Sequence, residues 1–133
     1  MKIYVATNFS RRDEVKKIHD ELRNLGYEIS ADWTTHIPIK PIKIFDKKIT
    51  DLAKDYAVKD MKGVEDCDVF ILITAKTGSG MYVELGAALL SNMMTGKPKI
   101  FVVGEHLEDN IFYFHPSVNL RKSVSQVIEE LKL

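Results

Sequence analysis

Val69-Phe-Ile-Leu-Ile-Thr74, followed by Gly78-Ser-Gly-Met-Tyr-Val-Glu-Leu-Gly86, is the stretch on which the fold turns. The first run is strand-length, continuous and apolar, the pattern of a strand covered on both faces of a parallel sheet. Two glycines then allow the backbone a tight approach. Met81 to about Met94 is apolar on nearly all sides, which predicts a deeply packed helix.

Outward from this unit the same alternation repeats. Lys2 to Thr7 is an apolar, β-rich opening strand. Ser10 with Asp13 three residues on reads as a capping pair that opens a helix. Val15, Ile18, Leu22 and Leu25 give that helix one apolar face, and Gly26 is its expected stop. Tyr27 to Ser30 reads as a short second strand, and a long loop from about Asp32 to Phe45 carries Pro38 and Pro41. A second helix is expected from roughly Asp46 to Gly63. Lys99 to Val103 is another buried strand, and Ser123 with Gln126 opens a last helix faced by Val124, Val127, Ile128 and Leu131. Strands alternating with helices predict an α/β fold, a doubly wound, Rossmann-like or flavodoxin-like three-layer sandwich with a mainly parallel five-stranded sheet. One domain over 1–133 accounts for the whole length.

Composition narrows the function classes. The 133 residues are 45% hydrophobic and 29% charged, as in an ordinary globular protein. Nineteen basic side chains balance nineteen acidic ones, so no net field draws the chain to nucleic acid or to an anionic membrane. No run is long enough to span a bilayer. The opening residues lack a signal peptide's apolar region, and the single cysteine, Cys67, fits a reducing, cytoplasmic setting. The four histidines, His19, His36, His106 and His115, lack metal-ligand spacing, so neither metal nor cofactor is expected. A small molecule or another copy of the chain is the expected partner.

In doubly wound folds ligands bind at the carboxyl ends of the strands. That points to Thr7, Asn8 and Phe9, to Asp32 and Trp33, and to the loop holding Gly78, Ser79 and Gly80. Two carboxylates break the packing pattern. Asp60 falls near the middle of the stripe formed by Ile49, Leu52, Ala53, Tyr56, Ala57, Met61 and Val64; either the site uses it or the helix frays there into solvent. Glu84 is set among Met81, Val83, Leu85 and Ala87 in what reads as the first turn of its helix. There the unpaired N–H groups would favour an ionised carboxylate, as a nucleophile or simply as a dipole partner.

With these residues in view, the chain resembles the nucleoside 2-deoxyribosyltransferase family, including its relatives that hydrolyse 2′-deoxynucleoside 5′-monophosphates. The resemblance covers nearly the whole chain and rests on Asp60-Met-Lys-Gly-Val64, Asp68-Val-Phe-Ile-Leu-Ile-Thr74 and Gly80-Met-Tyr-Val-Glu-Leu-Gly-Ala-Ala-Leu89, with Gly96-Lys97. It implies Glu84 as the sugar nucleophile, Tyr4 as its hydrogen-bonding positioner and Asp60 as the group working near the leaving base. It also implies that Asn110 reaches the sugar in a neighbouring subunit, hence a homodimer or higher homo-oligomer. The implied substrate is a nucleoside or nucleotide, cleaved at the N-glycosidic bond and passed to another base or to water, as in purine and pyrimidine salvage. A non-catalytic module of the same fold that senses nucleotides is the alternative. The loop Lys76-Thr-Gly-Ser-Gly80 lacks the aspartate that the transferases carry before the nucleophile.

Overall fold

The computed structural model describes residues 1–133. Its sheet holds five parallel strands, β1 (Lys2–Ala6), β2 (Glu28–Ile29), β3 (Val69–Ile73), β4 (Lys99–Val103) and β5 (Val118–Arg121), in the order β2-β1-β3-β4-β5. Three helices connect the first four strands, α1 (Arg12–Asn24), α2 (Lys47–Asp66) and α3 (Gly80–Thr95), and a fourth, α4 (Val124–Leu131), follows β5. This is the flavodoxin-like strand order, with its reversal between β1 and β3.

Every residue of β3 is buried, as its unbroken apolar run requires. β1 and β4 are buried after their first lysine. Register pairs Ile3 with Val69, Tyr4 with Phe70, Val5 with Ile71 and Ala6 with Leu72, so the two central strands end level with each other. β5 is half-buried throughout, which is why Val-Asn-Leu-Arg shows no continuous apolar run and the sequence reading locates only four of the five strands.

Local signals are mostly honoured. Gly26 follows the end of α1 at φ 92°, and Ser123 caps α4 by accepting from the Gln126 N–H. The Ser10–Asp13 capping pair does not form. Asn8 takes that place, its side chain accepting from the Ser10 N–H and opening a 3-10 turn, Phe9–Arg11, ahead of α1. The Asp32–Phe45 loop likewise carries a 3-10 turn, Trp33–Thr35, capped by Asp32. Asp46 caps α2, which runs past Gly63 to Asp66, so the helix does not fray at Asp60.

The largest departure concerns α3. It is not packed all round: Met81, Leu85, Ala88 and Leu89 are buried, while Val83, Leu90, Met93 and Met94 stand exposed. Apolar content alone cannot tell a helix sunk in its own core from one with a second apolar face. In the same way Tyr113 is buried while Ile111, Phe112 and Phe114 are exposed. No helix is long and apolar enough to cross a membrane.

Candidate functional site

The β1/β3 reversal is where a ligand crevice forms in this fold, and Tyr4 and Glu84 meet there. Tyr4 is wholly buried, its ring stacked on Phe70 with centroids 5.8 Å apart and planes 4° from parallel. Gly63 of α2 passes against that ring; a Cβ there would lie 3.1 Å from Tyr4 Cε2 and would collide with the Ala31 methyl. Only glycine permits this approach. So held, the Tyr4 hydroxyl donates a hydrogen bond to Glu84 Oε2.

Glu84 sits one turn deeper than the sequence reading has it. α3 begins at Gly80 and no acidic residue lies in its first turn, so the unpaired amides do not set the charge of Glu84. Burial does: it pushes the carboxyl up to about 8, against the expectation of an environment that favours the ion. Glu84 is thus a weak acid with one donor, Tyr4.

Asp60 faces a different space. It lines a cavity of about 440 Å³ together with Ser30, Asp32, His36, Tyr56 and Gly63. Its Oδ1 is buried without a hydrogen-bond partner, the nearest cation-capable atom being His36 Nε2 at 3.6 Å. Burial alone pushes this carboxyl up to about 6 and also lowers His36, so neither group is held as an ion by the other. The His36 ring stacks on Tyr56 at 3.8 Å and 5°, and the Tyr56 hydroxyl accepts from the Ile37 N–H at 3.1 Å. These contacts pin the start of the long loop to α2 and form one wall of the cavity.

Asp32 lines the same cavity yet shifts the other way. Burial would raise it, but the Thr34 hydroxyl, His19, the Thr34 N–H and Arg23 together hold it below the usual carboxylate range. His19 lies 3.4 Å from Asp32 Oδ1 and is itself buried, which lowers its affinity for a proton. The cavity therefore presents one carboxylate that stays ionised and one that retains a proton more readily. Such divergence is how paired carboxyls take separate roles.

The remaining expected residues fall into two groups. Thr7, Asn8, Gly78, Ser79 and Gly80 gather at the strand ends. The Thr7 hydroxyl donates to the Ile73 carbonyl at 2.8 Å, and the Asn8 amide donates to the Thr77 carbonyl and hydroxyl at 2.7 and 3.0 Å. Those bonds join the loop after β1 to the glycine loop. Gly78 holds φ 139°, a conformation closed to other residues at little cost, and Ser79 is exposed with no capping bond. Asn8 also lines a second, polar cavity of about 460 Å³ with Ser10, Lys76, Thr77 and His106. Arg11 borders it, but its guanidinium is committed to Glu14 and to the Thr74 carbonyl.

Trp33 is turned into the core, and Asn110 sits at the start of a short 3-10 turn. Trp33 is 5% exposed, its indole N–H donates to the Val5 carbonyl at 2.6 Å, and it lines neither cavity. It closes the core over β1 rather than offering a face to a base; partly buried Phe9 leans on it at 6.0 Å. The Asn110 side-chain oxygen caps the 3-10 turn Ile111–Phe114 by accepting from the Phe112 N–H at 2.9 Å. Cys67 is buried, its thiol pushed up to about 12 by burial, which leaves it unreactive. No group of three or more His, Cys, Asp or Glu is arranged to hold a metal ion.

Among the cavity residues that the sequence reading does not single out as site residues are His36 and Tyr56. The one local signal was a histidine in a long loop otherwise rich in Ile, Pro and Lys.

No family model matches the chain, and no curated protein matches it. Among solved structures, the CMP N-glycosidase BcmB of Clostridium botulinum superposes with a TM-score of 0.58 over 100% of both chains, at 15% identity. At that identity the likeness establishes the shared fold, a parallel α/β sandwich of the same extent.

Proposed function

We propose that the chain cleaves the N-glycosidic bond of a nucleoside or nucleotide, with the 2′-deoxy sugar as the family resemblance implies, through a covalent glycosyl ester on Glu84. The observation that carries this reading is the partly buried Tyr4–Glu84 hydrogen bond at the β1/β3 reversal. A carboxyl held at a ligand crevice by a tyrosine with no other donor is placed for chemistry more than for stability, because burying it costs free energy. The likeness to an N-glycosidase of the same fold and length supports the reaction class.

Breaking C1′–N draws positive charge onto the sugar ring, which a carboxylate beside it stabilises and then traps. Ionised Glu84 attacks C1′ as the C1′–N bond breaks, and the electron pair leaves with the base. Asp60, whose carboxyl holds its proton up to about pH 6, delivers that proton to the departing base from the cavity. Water, giving a proton to the Asp60 carboxylate, then attacks C1′ as the ester C–O bond breaks and returns Glu84 as a carboxylate, or a second base attacks in the same way, losing its proton to Asp60, and the sugar is transferred. Tyr4 steadies the ionised form of Glu84 by its hydroxyl. Thr7, Asn8 and the backbone around Gly78 to Gly80 line the approach for the sugar and its 5′ substituent.

The test is release of free base, followed by chromatography, across deoxynucleosides, ribonucleosides and their 5′-monophosphates. CMP is the first to try, given the substrate of the structural neighbour. Glu84→Ala lowers the rate by at least about 10³-fold, and a glycosyl adduct on Glu84 appears by mass spectrometry of the soaked protein. Ligand-dependent thermal stabilisation with no base release from any substrate would assign the chain to the sensing alternative instead.

A further inference from the structure

Three side chains keep a buried polar atom without a hydrogen-bond partner: His19, Ser30 and Asp60. Most buried polar atoms in folded proteins are paired, so each exception calls for a cause. His19 is closed into the core beside Asp32. Ser30 and Asp60 share a space instead, because both line the cavity of about 440 Å³. A cavity of that size is in the range of small-molecule sites.

The backbone fixes the two residues around one contact. Ser30 directly follows β2, and its N–H donates to the Ile3 carbonyl at 3.1 Å, which carries the β1–β2 ladder one residue further. Asp60 stands on α2 nearly one turn before Gly63, the residue that abuts the Ala31 methyl. Ser30 is held next to that contact through Ala31, and Asp60 through Gly63. The cavity lies between the end of β2 and α2, with both orphan atoms on its wall.

We propose that Ser30 and Asp60 together read one edge of the base: Asp60 donates to a ring nitrogen that carries no hydrogen, and Ser30 Oγ accepts from the exocyclic amine beside it. The cavity then selects the amino bases, cytosine and adenine, over their keto counterparts, uracil and hypoxanthine. In the keto bases that ring nitrogen carries a hydrogen and faces Asp60 donor to donor. A site built around such bonds rejects a ligand that leaves its buried groups unpaired. Asp60 suits the donor's part, since burial keeps its proton on up to about 6 and also draws His36, 3.6 Å away, toward the neutral form. A serine hydroxyl accepts as readily as it donates. As C1′–N breaks, the Asp60 O–H bond breaks, an N–H bond forms at the same ring nitrogen, and the base departs neutral. This selection rests on the glycosidase reading above for its substrate being a nucleoside or nucleotide.

Calorimetry on the Glu84→Gln variant measures binding with no ligand consumed. The ligands are 2′-deoxycytidine, 2′-deoxyuridine and the 2-pyrimidinone deoxynucleoside, which is deoxycytidine without its amine, each also as the 5′-monophosphate. Just below about pH 6, where Asp60 keeps its proton, the cytosine ligand binds at least about tenfold tighter than the uracil ligand. Adding Ser30→Ala weakens the cytosine ligand by about tenfold and leaves the 2-pyrimidinone ligand unchanged, a split that a general disturbance of the fold would not give. Deoxyadenosine and deoxyinosine follow the same order. Equal affinity within either amino–keto pair, an equal loss for cytosine and 2-pyrimidinone in Ser30→Ala, or no binding at all overturns the proposal. Absence of base release by the wild type counts against the glycosidase reading, while the calorimetric comparison still decides how the cavity reads a base.

Discussion

Asp32 and Asp60 line one cavity and leave similar fractions of their side chains exposed, 27% and 23%, yet their carboxyls are drawn in opposite directions. Asp32 is met by the Thr34 hydroxyl and N–H, by Arg23 and by His19; Asp60 Oδ1 is met by none. Depth in the protein therefore does not decide which acid keeps its proton. The donors within reach do. Glu84 extends the comparison to a third case, where a single hydroxyl fails to offset burial and the carboxyl rises further than that of Asp60. Two reluctant ions, Asp60 in the cavity and Glu84 outside it, and one committed ion, Asp32, are thus each set by their neighbours.

The largest effect expected from breaking this contrast is on catalysis. With Glu84 required as the ion and Asp60 as the acid, base release rises with pH to about 6, stays level to about 8 and falls beyond. Asp60→Asn costs about 10²-fold in kcat. It also changes the shape: activity then follows ionisation of Glu84 alone, climbing to about 8 and remaining there. A profile that keeps its break near 6 in Asp60→Asn removes Asp60 from the proton-handling role.

A smaller effect appears in stability. Between its ordinary value of 4.5 and about 8, Glu84 keeps in the folded state a proton that the unfolded chain has lost. Unfolding releases that proton, so this group's contribution falls as pH rises across the window. Glu84→Gln, which still offers Tyr4 an acceptor, matches the wild type at pH 5 and melts higher at pH 8.5 by on the order of 5 °C. Equal melting shifts at both pH values would mean that burial does not hold the proton on Glu84.

The smallest effect concerns Asp32, where the pKa is lowered and the sign reverses. Its stabilisation is present above its ordinary value of 3.8 and is lost as pH falls through the lower folded value. Thr34→Val keeps the shape of a residue only 2% exposed but removes its hydroxyl. Urea unfolding at pH 7 should show a loss of about 1 kcal/mol, and the loss should shrink in acid once Asp32 is protonated. A loss independent of pH would attribute the effect to packing at Thr34 and not to the carboxylate.

How far the sequence reveals this arrangement depends on how local the cause is. β3 announces itself because a strand covered on both faces needs an unbroken apolar run; β5, half-buried, and β2, two residues long, have no such obligation. Asp60 is legible as an acid inside an apolar stripe, and Glu84 as one inside an apolar helix. The bond from Tyr4 is a different matter, since eighty residues separate the partners and only the family resemblance suggests it. His36 and Tyr56 offer no pattern, because a loop folding back onto α2 is what brings them together.

By itself the sequence determined the alternation of strands and helices, the parallel sheet and the two misplaced acids. Those follow from periodicity and from the cost of burying charge, both properties of neighbouring residues. Only the tertiary structure decided the charge state each acid favours, the removal of Trp33 from the crevice into the core, and the second apolar face of α3. Proton affinity and exposure are set by whatever packs around a group. For Glu84 that means Tyr4 on a strand far away in the chain, with one side of its helix turned to the core and the other left bare.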